Sequence, residues 1–192
     1  MKETVSLAAR LFIITAVAAL LLAVVNGYTS PIIAERESME YQEALKVAFE
    51  EAEEFERIDE GKLNKIKQEN DNIDDISIAK KDGKEIGYVA KVIGTGGYGG
   101  DIIFVVGVEK ENMSIVGYDV LSSKETPGFG SKVGEEPFVS SLMGKKMDKH
   151  LDKKDKPEGD YDIQAISGTT YSVNAILNGL NGTVDALQAI GQ

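Results

Sequence analysis

Residues 162–180 read DIQAISGTTYSVNAILNGL, where Ser167, Thr169, Thr170 and Ser172 crowd around Gly168 just ahead of an apolar-periodic run. Hydroxyl side chains at a helix start have two uses. They cap the first turn by accepting from its unpaired N–H groups. They also stand at the positive end of the helix dipole, where phosphate and other anions are held. A hydroxyl placed there is also a point where a group can be attached. The cluster exceeds what one cap requires, and Gly168 lets an anion approach the backbone.

Two other stretches have similar potential. GTGGYGG, Gly94 to Gly100, holds five glycines in seven residues. Its use is either a flexible hairpin connection or close approach to a ligand. The spacing is not that of a dinucleotide fingerprint, and a strand rather than a helix follows. In SSKETPGFG, Ser122 to Gly130, Pro127-Gly128 makes a turn. Ahead of that turn, Glu125 and Thr126 display a carboxylate and a hydroxyl beside the ring of Phe129. By itself this loop is equally an ordinary strand-to-helix connection.

Composition narrows the chemistry. The chain has 192 residues, with 32 Asp and Glu against 21 Lys and Arg, for a net charge of −11. An acidic chain lacks the positive footprint that nucleic acid requires, so no nucleic-acid partner is expected. With no cysteine, disulfides, thiolate zinc sites, iron–sulfur clusters and c-type haem attachment are excluded. His150, the one histidine, lies in KKMDKHLDKKDK, which reads as solvated loop. No His-based catalytic triad and no metal site is expected. Redox or group-transfer chemistry falls to a bound cofactor or to carboxylates and hydroxyls.

The elements that must position these residues follow from periodicity. Leu11 to Val25 is apolar apart from Thr15, and the wider segment Val5 to Ile33 exceeds the roughly 20 residues that cross a bilayer. Lys2 and Arg10 precede it, so the N-terminus is expected in the cytoplasm and the remainder outside. No small-x-small cleavage site follows, which favours an uncleaved anchor over residues 1–33 that ends at Pro31. Residues 34–57 read as an amphipathic helix leading into the domain. Residues 58–72 read as a polar loop that opens a domain over 58–192.

Two hairpins come next, turning at Asp82-Gly83 and near Lys110 to Asn112, and give a four-stranded antiparallel meander. A short helix within 133–145 and a charged connection over 145–160 follow. The last helix is expected from about Ser172 to Ile190, with Val173, Ile176, Leu177, Leu180, Val184, Leu187 and Ile190 as one stripe. The class is α+β: a single N-terminal transmembrane helix, then one globular domain with an antiparallel sheet flanked by helices.

SGTTYS is similar to the S/T-G-A-T-x-T/S flavinylation motif of the FMN-binding domain family, and G-Y-G-G and E-T-P-G-F-G precede it in the family's order. With the anchor and the length, the whole chain resembles the G-subunit family of Rnf complexes, the ion-translocating ferredoxin:NAD oxidoreductases. Thr169 stands where alanine is usual, and Gln164 where an aspartate is common. The resemblance implies FMN attached by a phosphoester to Ser172, with Thr170 as the second candidate. It places Gly168, Ser167, Thr169 and Thr170 around the phosphate. Glu125, Thr126, Pro127, Gly128, Tyr98 and Gly99 then face the flavin. It further implies a separate flavin transferase that uses FAD as donor, with AMP as leaving group. The partners are the other membrane and peripheral subunits of the complex. The domain would be extracytoplasmic on a single-pass anchor in the cytoplasmic membrane, relaying electrons as part of a translocase. The related alternatives are the FMN-carrying C-subunit of a sodium-pumping NADH:quinone oxidoreductase and a stand-alone flavinylated reductase domain. A cofactor-free membrane-anchored binding module is the alternative from another class.

Overall fold

The structure is a computed structural model that describes residues 2–191. It divides into a first unit, up to Tyr41, and a second from Gln42 onward. The described residues of the first unit are all helical. Helix α1 runs Lys2–Ala48, so it continues through Pro31 instead of ending there. A proline removes one hydrogen bond of a helix ladder, and the remaining bonds carry α1 past it. Its apolar part is long and apolar enough to cross a membrane and is wholly exposed.

Within the second unit, α1 ends at Ala48 and strand β1, Glu54–Arg57, follows. The amphipathic helix expected over 34–57 therefore stops short, and its last residues are strand. The open edge of β2, Ile73–Lys81, supplies the reason, since Glu54 to Arg57 pair with Lys80 to Ser77 along it. The expected loop over 58–72 is also corrected, because α2 spans Glu60–Glu69. The Asp59 carboxylate accepts from the N–H groups of Gly61 and Lys62 at 2.9 and 3.1 Å. Leu63 and Ile66, one turn apart, go into the core. Asp59→Ala should cost about 1 kcal/mol, read from urea unfolding, because it removes this cap.

Strands β3, Lys84–Gly94, β4, Ile102–Glu109, and β5, Ile115–Ser122, complete a five-stranded antiparallel sheet in sequence order. It is the expected meander with one strand added. The β2–β3 turn uses Asp82 and Gly83, both at positive φ (50° and 70°), the conformation that two-residue hairpins favour. A 3₁₀ turn at Gly130–Gly134 and helix α3, Glu136–Leu142, follow β5.

The 145–160 connection is less solvated than its charge suggests. Met147 and Leu151 are buried within it. It also carries β6, Asp152–Lys154, which pairs in parallel with β7, Asp162–Gln164. Apolar residues four apart among lysines send their own side chains inward while the lysine heads stay in water.

Helix α4, Thr170–Ile190, lies against β3 and its neighbours and closes the core. Val173, Ile176, Leu180, Val184 and Leu187 of the expected stripe are buried, and Leu177 and Ile190 pack at its margin. The helix sits close to the sheet. A Cβ on Gly179 would stand 2.7 Å from both Phe104 Cζ and Val92 Cγ1. Nearer its start, a Cβ on Gly94 would stand 2.6 Å from the Ala175 carbonyl, so the beginning of α4 is seated against the end of β3.

Candidate functional site

The first turn of α4 is where the hydroxyl cluster lies, and no side chain caps it. Thr169, at the N-cap position, instead donates its hydroxyl to the carbonyl of Phe129 at 3.2 Å. Ser172 donates to Glu125 Oε2 at 2.9 Å. Both hydroxyls tie the helix start to the ETPG loop, while the first-turn N–H groups keep their dipole end unspent. Gly168 holds φ at +77°, and only the ring of Phe129, 3.9 Å away, would meet a Cβ there. The segment is thus open above its backbone, as an anion requires.

The ETPG loop is a type II turn. Pro127 takes the second position, Gly128 has φ +75°, and the Phe129 N–H donates to the Thr126 carbonyl at 3.1 Å. Ahead of it, the Glu125 side chain turns inward and is only 8% exposed. The N–H of Gly99 donates to its Oε1 at 3.0 Å, and the hydroxyl of Ser123 accepts from its N–H at 3.2 Å. The carboxylate therefore joins all three motifs, with Gly99 from GTGGYGG, its own loop, and Ser172 from SGTTYS.

These motifs enclose a cavity of about 210 Å³. Tyr98, Glu125, Thr126, Phe129 and Gly130 line one side, and Gly168 through Ser172 line the other. Tyr98, Phe129 and Tyr171 are strongly exposed around it, and the rings of Tyr98 and Tyr171 lie 6.5 Å apart at a tilt of 47°. Large aromatic side chains held in solvent beside a cavity are surfaces for a planar ring system to cover.

Of the residues expected from sequence, Tyr98, Glu125, Thr126, Gly168, Thr169, Thr170 and Ser172 meet at the cavity. Gly99 backs Glu125 from behind, whereas Pro127 and Gly128 shape the turn. Ser167 is exposed just outside the lining. Sequence reasoning names none of Phe129, Gly130 and Tyr171 as cofactor contacts, although the first two fall within the ETPGFG stretch. An aromatic residue inside a hydroxyl cluster, on the exposed side of a helix start, is the available signal for Tyr171. Gly130 is visible in sequence as the second glycine of its loop, but its need for a missing Cβ comes from Glu125, which occupies that space.

An uncapped helix start with free hydroxyls fits a phosphate, and a rim of exposed rings fits a flat heteroaromatic group. The FMN-binding domain family matches residues 97–185, the stretch that holds GYGG, ETPGFG and SGTTYS. The whole chain is similar to the G-subunit of the Na⁺-translocating ferredoxin:NAD⁺ oxidoreductase complex of Acetobacterium woodii. Identity is 30% over 189 residues, 95% of this chain and 90% of that protein. The G-subunit of the proton-translocating complex of Clostridium ljungdahlii is 27% identical over 169 residues, covering 88% and 83%. The G-subunit of the ion-translocating oxidoreductase complex of Methanosarcina acetivorans is 26% identical over 192 residues, covering 98% and 96%. The chain belongs to the G-subunit family of Rnf complexes. Among solved structures, the C-subunit of the Na⁺-translocating NADH-quinone reductase from Parabacteroides distasonis aligns with a TM-score of 0.48 at 25% identity, covering 59% of this chain and 62% of that one.

Proposed function

We propose that this chain is the flavin-carrying electron-transfer subunit of a membrane ion-translocating ferredoxin:NAD oxidoreductase, with FMN joined by a phosphoester to Thr170. The observation that carries this reading is an exposed hydroxyl in the uncapped first turn of α4, on the cavity where three separate motifs meet.

Position in the motif nominates Ser172 as the acceptor, but the two hydroxyls differ in access. Ser172 is 2% exposed, and its proton is already committed to Glu125. Thr170 is exposed, and among the described residues no hydrogen bond holds its hydroxyl. A transferase must bring a bulky dinucleotide to the oxygen it modifies, so accessibility favours Thr170. Ser172 then serves to hold Glu125.

Bound there, FMN supplies electron transfer, which no side chain of this cysteine-free chain offers. The chain's own groups bind and orient. The first-turn N–H groups of α4 face the phosphodiester charge. Tyr98, Phe129 and Tyr171 offer ring faces and edges to the flavin. Thr169 and Ser172 keep the helix start fastened to the ETPG loop. Residues 1–33 anchor the chain in the cytoplasmic membrane with its N-terminus inside, so residues 58–192 form an extracytoplasmic domain beside the other subunits of the complex. The related proteins are named for sodium in one case and for protons in another, so family membership leaves the coupling ion open.

Co-expression with a flavin transferase tests this reading. The chain should give a yellow-green fluorescent band that survives denaturing electrophoresis. A non-fluorescent chain, under conditions where a known substrate of the same transferase is labelled, contradicts it.

A further inference from the structure

The glycines of two loops do something other than admit a ligand, because they make room for a carboxylate. A Cβ on Gly97 would lie 2.6 Å from Glu125 Oε1, and one on Gly130 would lie 2.7 Å from Ser172 Oγ and overlap Glu125 Oε2. A Cβ on Gly99 would collide with the Lys124 carbonyl, just before Glu125. Two donors reach into this pocket of bare backbone, the Gly99 N–H at 3.0 Å and the Ser172 hydroxyl at 2.9 Å. Among the described residues no lysine, arginine or histidine forms an ion pair with Glu125. A carboxylate this buried, without a cation, is held by its hydrogen bonds and by the first turn of α4.

We infer that Glu125 is a positioning residue: the anion around which the GYGG loop and the start of α4 are set, so that the Thr170 hydroxyl and the Tyr98 ring take fixed places on the cavity. Each bond has a separate task. The bond from Ser172 sets the rotation of the first turn of α4, and Thr170 lies two residues earlier on that turn. The bond from Gly99 pins the backbone next to Tyr98. Neither bond needs flavin to be present, so the loops are set before loading. Glu125 is thereby a determinant of how fast the acceptor is modified, not of whether the transferase finds the chain. This inference rests on the proposed attachment at Thr170, yet its geometric half can be read on the unloaded protein.

The test compares wild type with Glu125→Ala and Glu125→Gln in the full-length chain. Glutamine has nearly the same shape, and it can accept from Gly99 through its carbonyl and donate to Ser172 through its amide. In unloaded protein, the Gly99 amide should be protected from hydrogen exchange in wild type and Glu125→Gln and unprotected in Glu125→Ala. In transferase kinetics, Glu125→Ala should lose about 100-fold in kcat, the scale of a misplaced reacting group, while the KM for the chain stays unchanged. Glu125→Gln should recover most of that loss. Gly130→Ala, which leaves Glu125 in place but takes its space, should reproduce the kcat loss even if Glu125→Ala proves too unstable to measure.

Wild-type kcat in Glu125→Ala or in Gly130→Ala would overturn the inference. So would a Glu125→Gln protein that is as slow as Glu125→Ala with its Gly99 amide protected, since charge and not position would then matter. If wild type itself takes no flavin, the proposed function fails. An unprotected Gly99 amide in wild type would then dispose of the positioning role as well, and a protected one lost in Glu125→Ala would sustain it.

Discussion

Thr170→Ala should abolish the covalent flavin, leaving a chain that folds normally but shows no fluorescence after denaturation. The side chain is exposed at the first position of α4, where alanine fits a helix at least as well as threonine. Its loss therefore removes an acceptor and little else. Thr170→Ser should keep the band, because it keeps the hydroxyl. Ser172→Ala should also keep it, at reduced yield. There the cost falls on Glu125, which loses a donor to a buried charge, an effect of about 1.5 to 3 kcal/mol in stability. Covalent flavin retained in Thr170→Ala but lost in Ser172→Ala would return the acceptor to Ser172, the residue that motif position alone nominates.

Gly107→Ala should produce the largest loss of stability. Gly107 on β4 and Gly117 on β5 face each other across the sheet, and the carbonyl of Ala48 at the end of α1 rests on both. A methyl group on Gly107 would overlap that carbonyl oxygen, and neither partner is the free end of a side chain that could swing aside. Either the helix end lifts, exposing Ala44, Leu45 and Phe49, or the strand bends. Overpacking of this kind costs about 3 kcal/mol, which should lower the Tm of the detergent-solubilised chain by about 9 °C. The flavin cavity lies elsewhere on the domain, so below that temperature the variant should still be labelled at Thr170. Separating the two effects distinguishes what holds the fold together from what arms the site.

The parts of this fold that sequence exposed are those whose cause is local. Asp82-Gly83 announces its hairpin because few other residues tolerate positive φ at both turn positions. The stripe from Val173 to Leu187 announces α4 because its spacing matches a helix face. Helix α2 stayed hidden because only Leu63 and Ile66 of its ten residues are core, and its start depends on one carboxylate, Asp59. Strand β1 has no pattern of its own and exists because β2 offers an edge.

The same division holds at the site. The three motifs could be read from the chain and their meeting only through the family resemblance, while the duties of the hydroxyls could not be read at all. Whether Ser172 is free or committed depends on Glu125, 47 residues away. Gln164 likewise shows its task only in three dimensions. Its amide donates to the carbonyls of Asp155 at 3.0 Å and Ala165 at 2.8 Å, bracing the segment ahead of the hydroxyl cluster.

That the start of α4 carries FMN by a phosphoester on an exposed threonine is tested most directly by peptide mass spectrometry of the wild-type chain, purified after co-expression with a flavin transferase. The expected result is a single adduct of FMN mass less one water, on the peptide that contains SGTTYS, with fragment ions placing it on Thr170. An unmodified peptide, or an adduct placed on Ser172 or outside that segment, would contradict it.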